Sequence, residues 1–361
     1  METLRSRLKW IAKGVSHFIE LGAPSEQEIR SWIEEEMGGV DRFDRFQKKG
    51  DRLIRAIAPE RLLVVGAGNL AVSLWQSLLV GFILGSSIWV KPGSGTEKEL
   101  HFFLKRFPIS LRRRVTVLKK VPTEILKLAD AVVVLGSDET IEVIQKSLHP
   151  KQRWVAYGHR TSAIWVGTRP KRSEVYDQIV QDICLYQQQG CLSPRWIWLA
   201  EKVNAFLFLE ELVQAMDRWS SRNFSKKGSR GLTPTQEVLI YELRETHRAL
   251  GNKVYASVNT LDWTVIFDEQ GSSELSDLPR VIFVRGVSEK DLMKEFAWMM
   301  GDLSTVGIYG GPSESLESIW FRWGASRICS VGEMQRPPLN WFHDGRPQIS
   351  DLVRWVEKSA Y

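Results

Sequence analysis

From Arg61 onward the chain alternates short apolar runs with amphipathic ones, and this alternation narrows the choice of fold more than any other feature. RLLVVGAG, SSIWVKP, RVTVLKK and DAVVVLGS read as strands, and NLAVSLWQSLLVGFILG, EKELHFFLKRF, TEILKLA and DETIEVIQKSL read as the helices that follow them. Strict strand-helix alternation predicts βαβ units and therefore a parallel sheet. Two more apolar strands, RWVAYG and AIWVG, follow near residue 160. A chain of 361 residues exceeds what one hydrophobic core usually supports, so two lobes are expected.

The boundaries follow from changes of pattern. Residues 1–57 carry charged helical patterning, with Pro24-Ser25-Glu26 as a helix start, and read as an N-terminal helical cap. Residues 58–172 form the first α/β lobe. In the second, 173–345, a helix SEVYDQIVQDICLYQQQ leads to Gly190-Cys191, and another long helix is expected from Pro194 through Met216. The polar stretch 220–236 reads as an exposed loop. The tail 346–361, containing DLVRWVEK, reads as a short C-terminal amphipathic helix.

Composition excludes several classes. Hydrophobic residues at 43% and charged residues at 25% are ordinary for a globular protein and argue against disorder. The net charge of +6 is spread among nearly as many acidic side chains, which argues against nucleic-acid binding and fits a phosphate-bearing small molecule equally well. Cys184, Cys191 and Cys329 form an odd set without C-x-x-C spacing, so neither disulfides nor a metal site is expected, and a reducing cytoplasm suits the chain. METLRSRLKWIAKGVSHF lacks the apolar centre and cleavage site of a signal peptide. The apolar run around Leu78 to Leu84 falls short of the roughly 20 residues a membrane span needs.

Four segments carry candidate chemistry, each with a plainer reading beside it. Gly66, Gly68 and Ala71 give a G-x-G-x-x-A spacing between strand and helix, which suits dinucleotide binding or a tight connection. Where the dinucleotide fingerprint asks for an acidic residue, the next strand ends in Lys91-Pro92-Gly93-Ser94; a lysine there attracts a 2′-phosphate or is simply solvated. Gly136 and Ser137 precede a helix, as a phosphate site or an N-cap. Cys191, with a helix expected to begin at Pro194, would feel the positive end of a helix dipole and gain thiolate character. Cys184 and Cys329 lie in apolar contexts and read as core. A papain-like protease would find a base in His159 or His343, but no protease signature accompanies either.

Taken in order, AGNLAVSLWQSLLVGFILGSSIWVKPGS, VVVLGSDETI, YGHRTSAIWV, QQQGCLSPRW, STVGIYG and GASRICSVGEMQRPPLNWFHDGRPQISDLVRW resemble the acyl-CoA reductase family of the aldehyde dehydrogenase superfamily, which includes the fatty-acid reductase of bacterial luminescence. The match covers residues 60 to 356 with gaps; QQQGCLSP and HDGRP are its most specific segments, and residues 220–285 match no motif. The resemblance implies an α/β, aldehyde dehydrogenase-like fold, with 58–172 as a Rossmann-like NADP(H)-binding domain and 173–345 as an α/β catalytic domain.

It also implies roles. Cys191 is the nucleophile, and Asn69 donates its side-chain amide to the oxyanion beside the Cys191 N–H. Lys91 binds the adenosine ribose, the pyrophosphate sits near Gly136 and Ser137 rather than Gly66 and Gly68, and Ser94 stands where NAD-preferring members carry a glutamate, which favours NADPH. The hydrolytic members' glutamate base is missing from AYGHRTSAI, so a thiol such as coenzyme A replaces water as acyl acceptor or donor. His159 is placed to protonate the oxyanion or assist the thiol, or is structural.

The expected reaction is NADPH-dependent reduction of a long-chain acyl-CoA to the aldehyde through an acyl-cysteine. An acyl-protein is the other donor the family implies, with an acyl-activating protein partner and a homo-oligomer. A short N-terminal region and Ala71-Val72, where family members often carry Pro-Gly, keep open an acyl-carrying or ligand-binding protein without hydride transfer; a thiol acyl hydrolase is a third reading. Fifteen tryptophans and the apolar segments around 196–212 serve either the core or a fatty-chain tunnel.

Overall fold

The computed structural model describes residues 3–68, 70–223, 231–269, 271 and 276–359. The chain forms two compact units, Met1–His159 with Arg336–Tyr361, and Arg160–Gln335.

The first unit is built on a five-stranded parallel sheet in the order Val115–Val117, Ser87–Lys91, Arg61–Val65, Ala131–Leu135, Arg153–Tyr157. Crossover helices Ala71–Leu84, Glu97–Leu104, Thr123–Leu128 and Asp138–Gln145 return the chain between strands, as the alternating pattern predicts. Both faces are covered: Leu62, Val64, Ile88 and Val90 belong to one apolar cluster, and Leu63, Val65, Val132 and Val134 to another. Burial on both sides is why these strands read as unbroken Val/Leu/Ile runs. The sheet starts in its middle, grows outward twice, then crosses back to Ala131–Leu135. The strand order therefore reverses between Arg61–Val65 and Ala131–Leu135, and open α/β sheets bind ligands at the carboxyl ends of the strands flanking such a point.

Around this sheet the N-terminal region is only partly helical. Helices Leu4–Val15 and Glu26–Met37 form, the second with a capping box in which Ser25 N–H donates to Glu28 (2.7 Å) and Glu28 N–H to Ser25 Oγ (3.2 Å). Beyond them, Gln47–Lys49 and Arg52–Ile57 make a hairpin around Gly50-Asp51, with Gly50 at φ 64°. Arg354–Ser359 adds to it as a third antiparallel strand. The expected C-terminal helix is thus corrected to a 3₁₀ turn, Ser350–Leu352, and a strand. Pairing with Arg52–Ile57 satisfies the tail's backbone across three hundred residues of sequence. The Glu36 carboxylate fixes the entry to this strand, accepting Trp32 Nε1–H (2.6 Å) and the N–H groups of Gln348 (3.0 Å), Ile349 (2.7 Å) and Ser350 (3.0 Å).

In the second unit a seven-stranded sheet runs Lys253–Ala256, Thr264–Phe267, Val281–Val287, Pro194–Ala200, Thr161–Val166, Leu303–Tyr309, Arg327–Ser330. Only the first pair is antiparallel. Two expectations are corrected here. Thr161–Val166, placed by sequence in the first lobe, lies inside this sheet between Pro194–Ala200 and Leu303–Tyr309. And Pro194–Ala200 is a strand, not the start of a helix; the helix begins at Ala205, where Asn204 Oδ1 accepts the Leu207 N–H (3.1 Å). Four of the tryptophans take the core role: Trp165, Trp196, Trp198 and Trp320 are at most 2% exposed and pack on one another and on Phe283 and Phe296.

Candidate active site

The sequence candidates fall into three groups: two in the first unit and one in the second. The first surrounds the glycine turn. Val65 and Lys91 are register partners at the ends of adjacent parallel strands, and Gly66 N–H donates to Lys91 O (2.8 Å). The two following loops touch backbone to backbone: a Cβ on Gly93 would lie 1.9 Å from Ala67 O, and one on Gly68 would lie 3.3 Å from Ser94 O. Gly68 and Gly93 therefore serve loop-to-loop packing. Leu70 provides no side-chain cap for the helix Ala71–Leu84. Lys91 is half-buried at the strand end, and Nζ has no hydrogen-bond or ion-pair partner among the described residues, while Ser94 is exposed. Asn69 lies outside the described residues.

Gly136, Ser137 and His159 make the second group. Gly136 N–H donates to Tyr157 O (3.2 Å), and Ser137 caps the helix Asp138–Gln145 by accepting the Thr140 N–H (3.4 Å). Its first turn carries Asp138 and Glu139, which offset the positive end of the helix. Asp138 Oδ1 accepts the backbone N–H of His159 (3.0 Å), so the exposed His159 is tethered next to Ser137.

Cys191, the third, sits on a turn rather than at a helix N-terminus, so the expected helix-dipole activation is absent. Immobilisation takes its place. Tyr186, Gln187 and Gln188 occupy consecutive left-handed conformations (φ 54°, 54° and 61°), which non-glycine residues hold only when their surroundings compel them. Gln188 supplies that compulsion. It is fully buried; its amide nitrogen donates to Pro194 O (2.8 Å) and Val281 O (2.7 Å), and its amide oxygen accepts the Val281 N–H (2.9 Å). The side chain thus acts as an extra rung between the strands Pro194–Ala200 and Val281–Val287, which are ladder neighbours.

Further bonds lock the rest of the turn. Arg195 donates to Gln188 O (2.8 Å) and Leu278 O (2.7 Å), and Arg280 to Gln187 Oε1 (2.9 Å). Ser193 N–H closes the turn on Gly190 O (3.0 Å). Buried Ser162 Oγ accepts the Thr305 N–H (3.2 Å) and donates to Cys191 O (2.7 Å). On the other side, Gln335 Nε2 donates to Ser193 Oγ (3.0 Å) and to Asp182 O (2.8 Å). The buried Asp182 carboxylate accepts the N–H groups of Gly332 (2.5 Å) and Met334 (3.1 Å); burial nevertheless pushes its pKa up to about 7 against the pull of these donors.

The other two thiols are protonated at neutral pH. Burial pushes Cys184, whose Sγ lies 3.7 Å from Met216 Sδ, up to about 12, and Cys329 up to about 11. Sequence reasoning placed both in the core but missed Ser162, Asp182, Gln188, Arg195, Arg280 and Gln335. Of these, Ser162, Gln188, Arg195 and Gln335 fall inside the motif segments that carry the resemblance, whereas Asp182 and Arg280 do not. Among the described residues no cluster of three or more His, Cys, Asp or Glu side chains is placed to hold a metal ion, and no helix is long and apolar enough to cross a membrane.

This architecture has known counterparts. Succinate-semialdehyde dehydrogenase from Burkholderia pseudomallei superposes with a TM-score of 0.70 at 13% identity, over 100% of this chain and 86% of that one. An aldehyde dehydrogenase from Bacillus cereus, solved with NAD+, superposes with a TM-score of 0.69 at 12% identity, over 99% and 84%. The fold is that of the aldehyde dehydrogenases. In sequence, the long-chain acyl-protein thioester reductase of Aliivibrio fischeri is 23% identical over 369 residues, 96% of this chain and 74% of that protein. The model of the family described as acyl-CoA reductase (LuxC) matches residues 18–355. With nearly its whole length matched, the chain belongs to the acyl-CoA reductase (LuxC) family.

Proposed function

We propose that this protein is an NADPH-dependent long-chain acyl reductase that carries its substrate as a thioester on Cys191 and releases the aldehyde. The observation that carries the reading is the clamped turn Tyr186–Ser193, which fixes the backbone of one cysteine while burial keeps the other two thiols protonated. Catalysis by covalent intermediate depends on such orientation.

A nicotinamide cofactor fits the first unit, where the reversal of strand order supplies the crevice and Lys91 an uncommitted cation at a strand end. Lys91 and Ser94 would hold the adenosine ribose and its 2′-phosphate; a lysine with a serine, rather than a glutamate, favours that phosphate. Gly136 and Ser137 would border the pyrophosphate. When bound, the reduced nicotinamide supplies one hydride.

The chain's own residues do the rest. The Cys191 thiolate attacks the carbonyl carbon of an acyl thioester, while the Asn69 side-chain amide and the Cys191 N–H take the charge on oxygen; one such donor is worth ~3 kcal/mol in the transition state. The C–S bond to the donor breaks, its thiolate leaves with a proton we assign to His159, and the acyl group stays on Cys191. After hydride addition to that carbon, the S–C bond to Cys191 breaks, giving aldehyde and regenerated thiolate. The relatives are named for acyl-protein thioesters, so an acyl-protein stands beside acyl-CoA as donor.

Mixing the protein with a long-chain acyl-CoA and NADPH tests the reading through loss of the nicotinamide absorbance with stoichiometric aldehyde. Acylation without cofactor oxidation would instead mark an acyl carrier, and free acid formed without NADPH a hydrolase.

A further inference from the structure

Charges intermingle along most of the chain, but the sixteen residues Lys105–Lys120 depart from this. They hold seven cationic side chains and no acidic one, so the remainder of the chain, whose total is +6, carries a net charge of −1. The segment forms one edge of the first unit. It includes the short helix Ile109–Arg112 and the edge strand, Val115–Val117, whose one partner strand among the described residues is Ser87–Lys91. Inward-facing Phe103, Phe107 and Leu111 are at most 3% exposed and anchor it, which fixes what faces outward. Arg114 turns back to donate to Gly85 O (2.6 Å), whereas Lys105, Arg106, Arg112, Arg113, Lys119 and Lys120 are exposed. Among them stand three apolar side chains that keep much of their surface in solvent: Phe102 (50% exposed, its ring edge-on to the buried Phe18 at 5.9 Å), Ile109 (53%) and Val117 (37%). Arg106 lies 5.1 Å from the Phe102 ring centroid. The preceding helix carries two acidic residues, Glu97 and Glu99, in its first turn, with Glu99 one turn before Phe102.

We propose that this edge is a docking face for an anionic lipid bilayer. The charge is complementary to acidic headgroups, and each basic side chain near such a surface strengthens binding about fivefold at moderate ionic strength. The exposed Phe102, Ile109 and Val117 select the bilayer over other polyanions. An interface accepts aromatic and aliphatic groups into its headgroup layer, whereas a nucleic-acid backbone would neutralise the cations and leave these side chains in water.

The test is co-sedimentation of the full chain with vesicles of phosphatidylcholine, or of phosphatidylcholine and phosphatidylglycerol in equal parts, with a duplex DNA oligonucleotide as competitor. It needs no turnover, so its outcome is independent of the proposed reductase activity. Binding to the mixed vesicles alone, reversed at 1 M salt, is expected. Joint Lys119→Gln and Lys120→Gln substitution should weaken it about 25-fold. Ile109→Ser should weaken it while leaving the salt dependence unchanged, and Lys171→Gln, on the other unit, should have no effect. All are exposed positions, and unchanged thermal unfolding confirms that each variant is folded. Equal binding to neutral vesicles, no loss on Lys119/Lys120 substitution, or displacement by the DNA would overturn the proposal.

Discussion

Replacing Gln188 with alanine should damage both the stability of the second unit and the reactivity of Cys191. The variant removes three buried hydrogen bonds, orphaning the Val281 N–H and stripping a donor from Pro194 O and Val281 O. A buried donor left without a partner costs about 1–3 kcal/mol, and the vacated side-chain volume adds to it, so about 4 kcal/mol is expected. At about 2–4 °C per kcal/mol for a unit of this size, unfolding should move down by roughly 8–16 °C in scanning calorimetry. The second effect is local. The left-handed run Tyr186–Gln188 persists because Gln188 is held between two strands. Once released, the turn relaxes, and a misplacement of about 1 Å at a nucleophile costs on the order of 100-fold in rate. Single-turnover acylation of Cys191, read by quenched-flow mass analysis, measures this. A Gln188→Ala protein that unfolds within 2 °C of the parent and acylates at the parental rate would refute the reasoning.

Four other outcomes follow from the same geometry. Asp182 is pushed up to about 7 in the folded chain, so the native state binds a proton that the unfolded state releases near its ordinary pKa of about 4. Stability should therefore fall as pH rises from about 4 through 7, and Asp182→Asn should flatten that slope in denaturant titrations. Ser94→Glu should lower kcat/KM for NADPH relative to NADH at least tenfold, since a carboxylate repels the 2′-phosphate; an unchanged ratio would remove Lys91 and Ser94 from the cofactor site. Glu36→Ala orphans the Gln348, Ile349 and Ser350 N–H groups and should cost about 2–4 kcal/mol, with limited proteolysis then cutting before Arg354. Asn69→Ala should slow acylation about 100-fold.

The parts of this fold legible in the sequence are those whose determinants are local. Apart from the short helix Ile109–Arg112, every strand and helix from Arg61 to Gln145 was readable because each burial pattern repeats within its own segment. Pro194–Ala200 was not. A fully buried strand is an unbroken apolar run, indistinguishable by period from a buried helix, and it abuts a real helix without an intervening glycine or proline. Asn204 was the available signal, as an N-cap dividing the two. The tail failed for another reason: its strand exists only because Arg52–Ile57 lies beside it, a pairing no local pattern encodes. At the candidate site, Cys191 stood out by the company it keeps in QQQGCLSP, but its environment was misjudged along with the neighbouring element. The clamp that replaces the helix dipole draws on Ser162, Arg280 and Gln335, which are distant in sequence and ordinary in type.

Intact-mass analysis after exposure to a long-chain acyl-CoA without cofactor, followed by peptide mapping and then addition of NADPH, tests the central claim most directly. The account predicts one acyl group per chain, located on Cys191, absent from Cys191→Ala, and discharged as aldehyde when NADPH is added. An acyl group on any other residue, or its release from Cys191 as free acid, would contradict it.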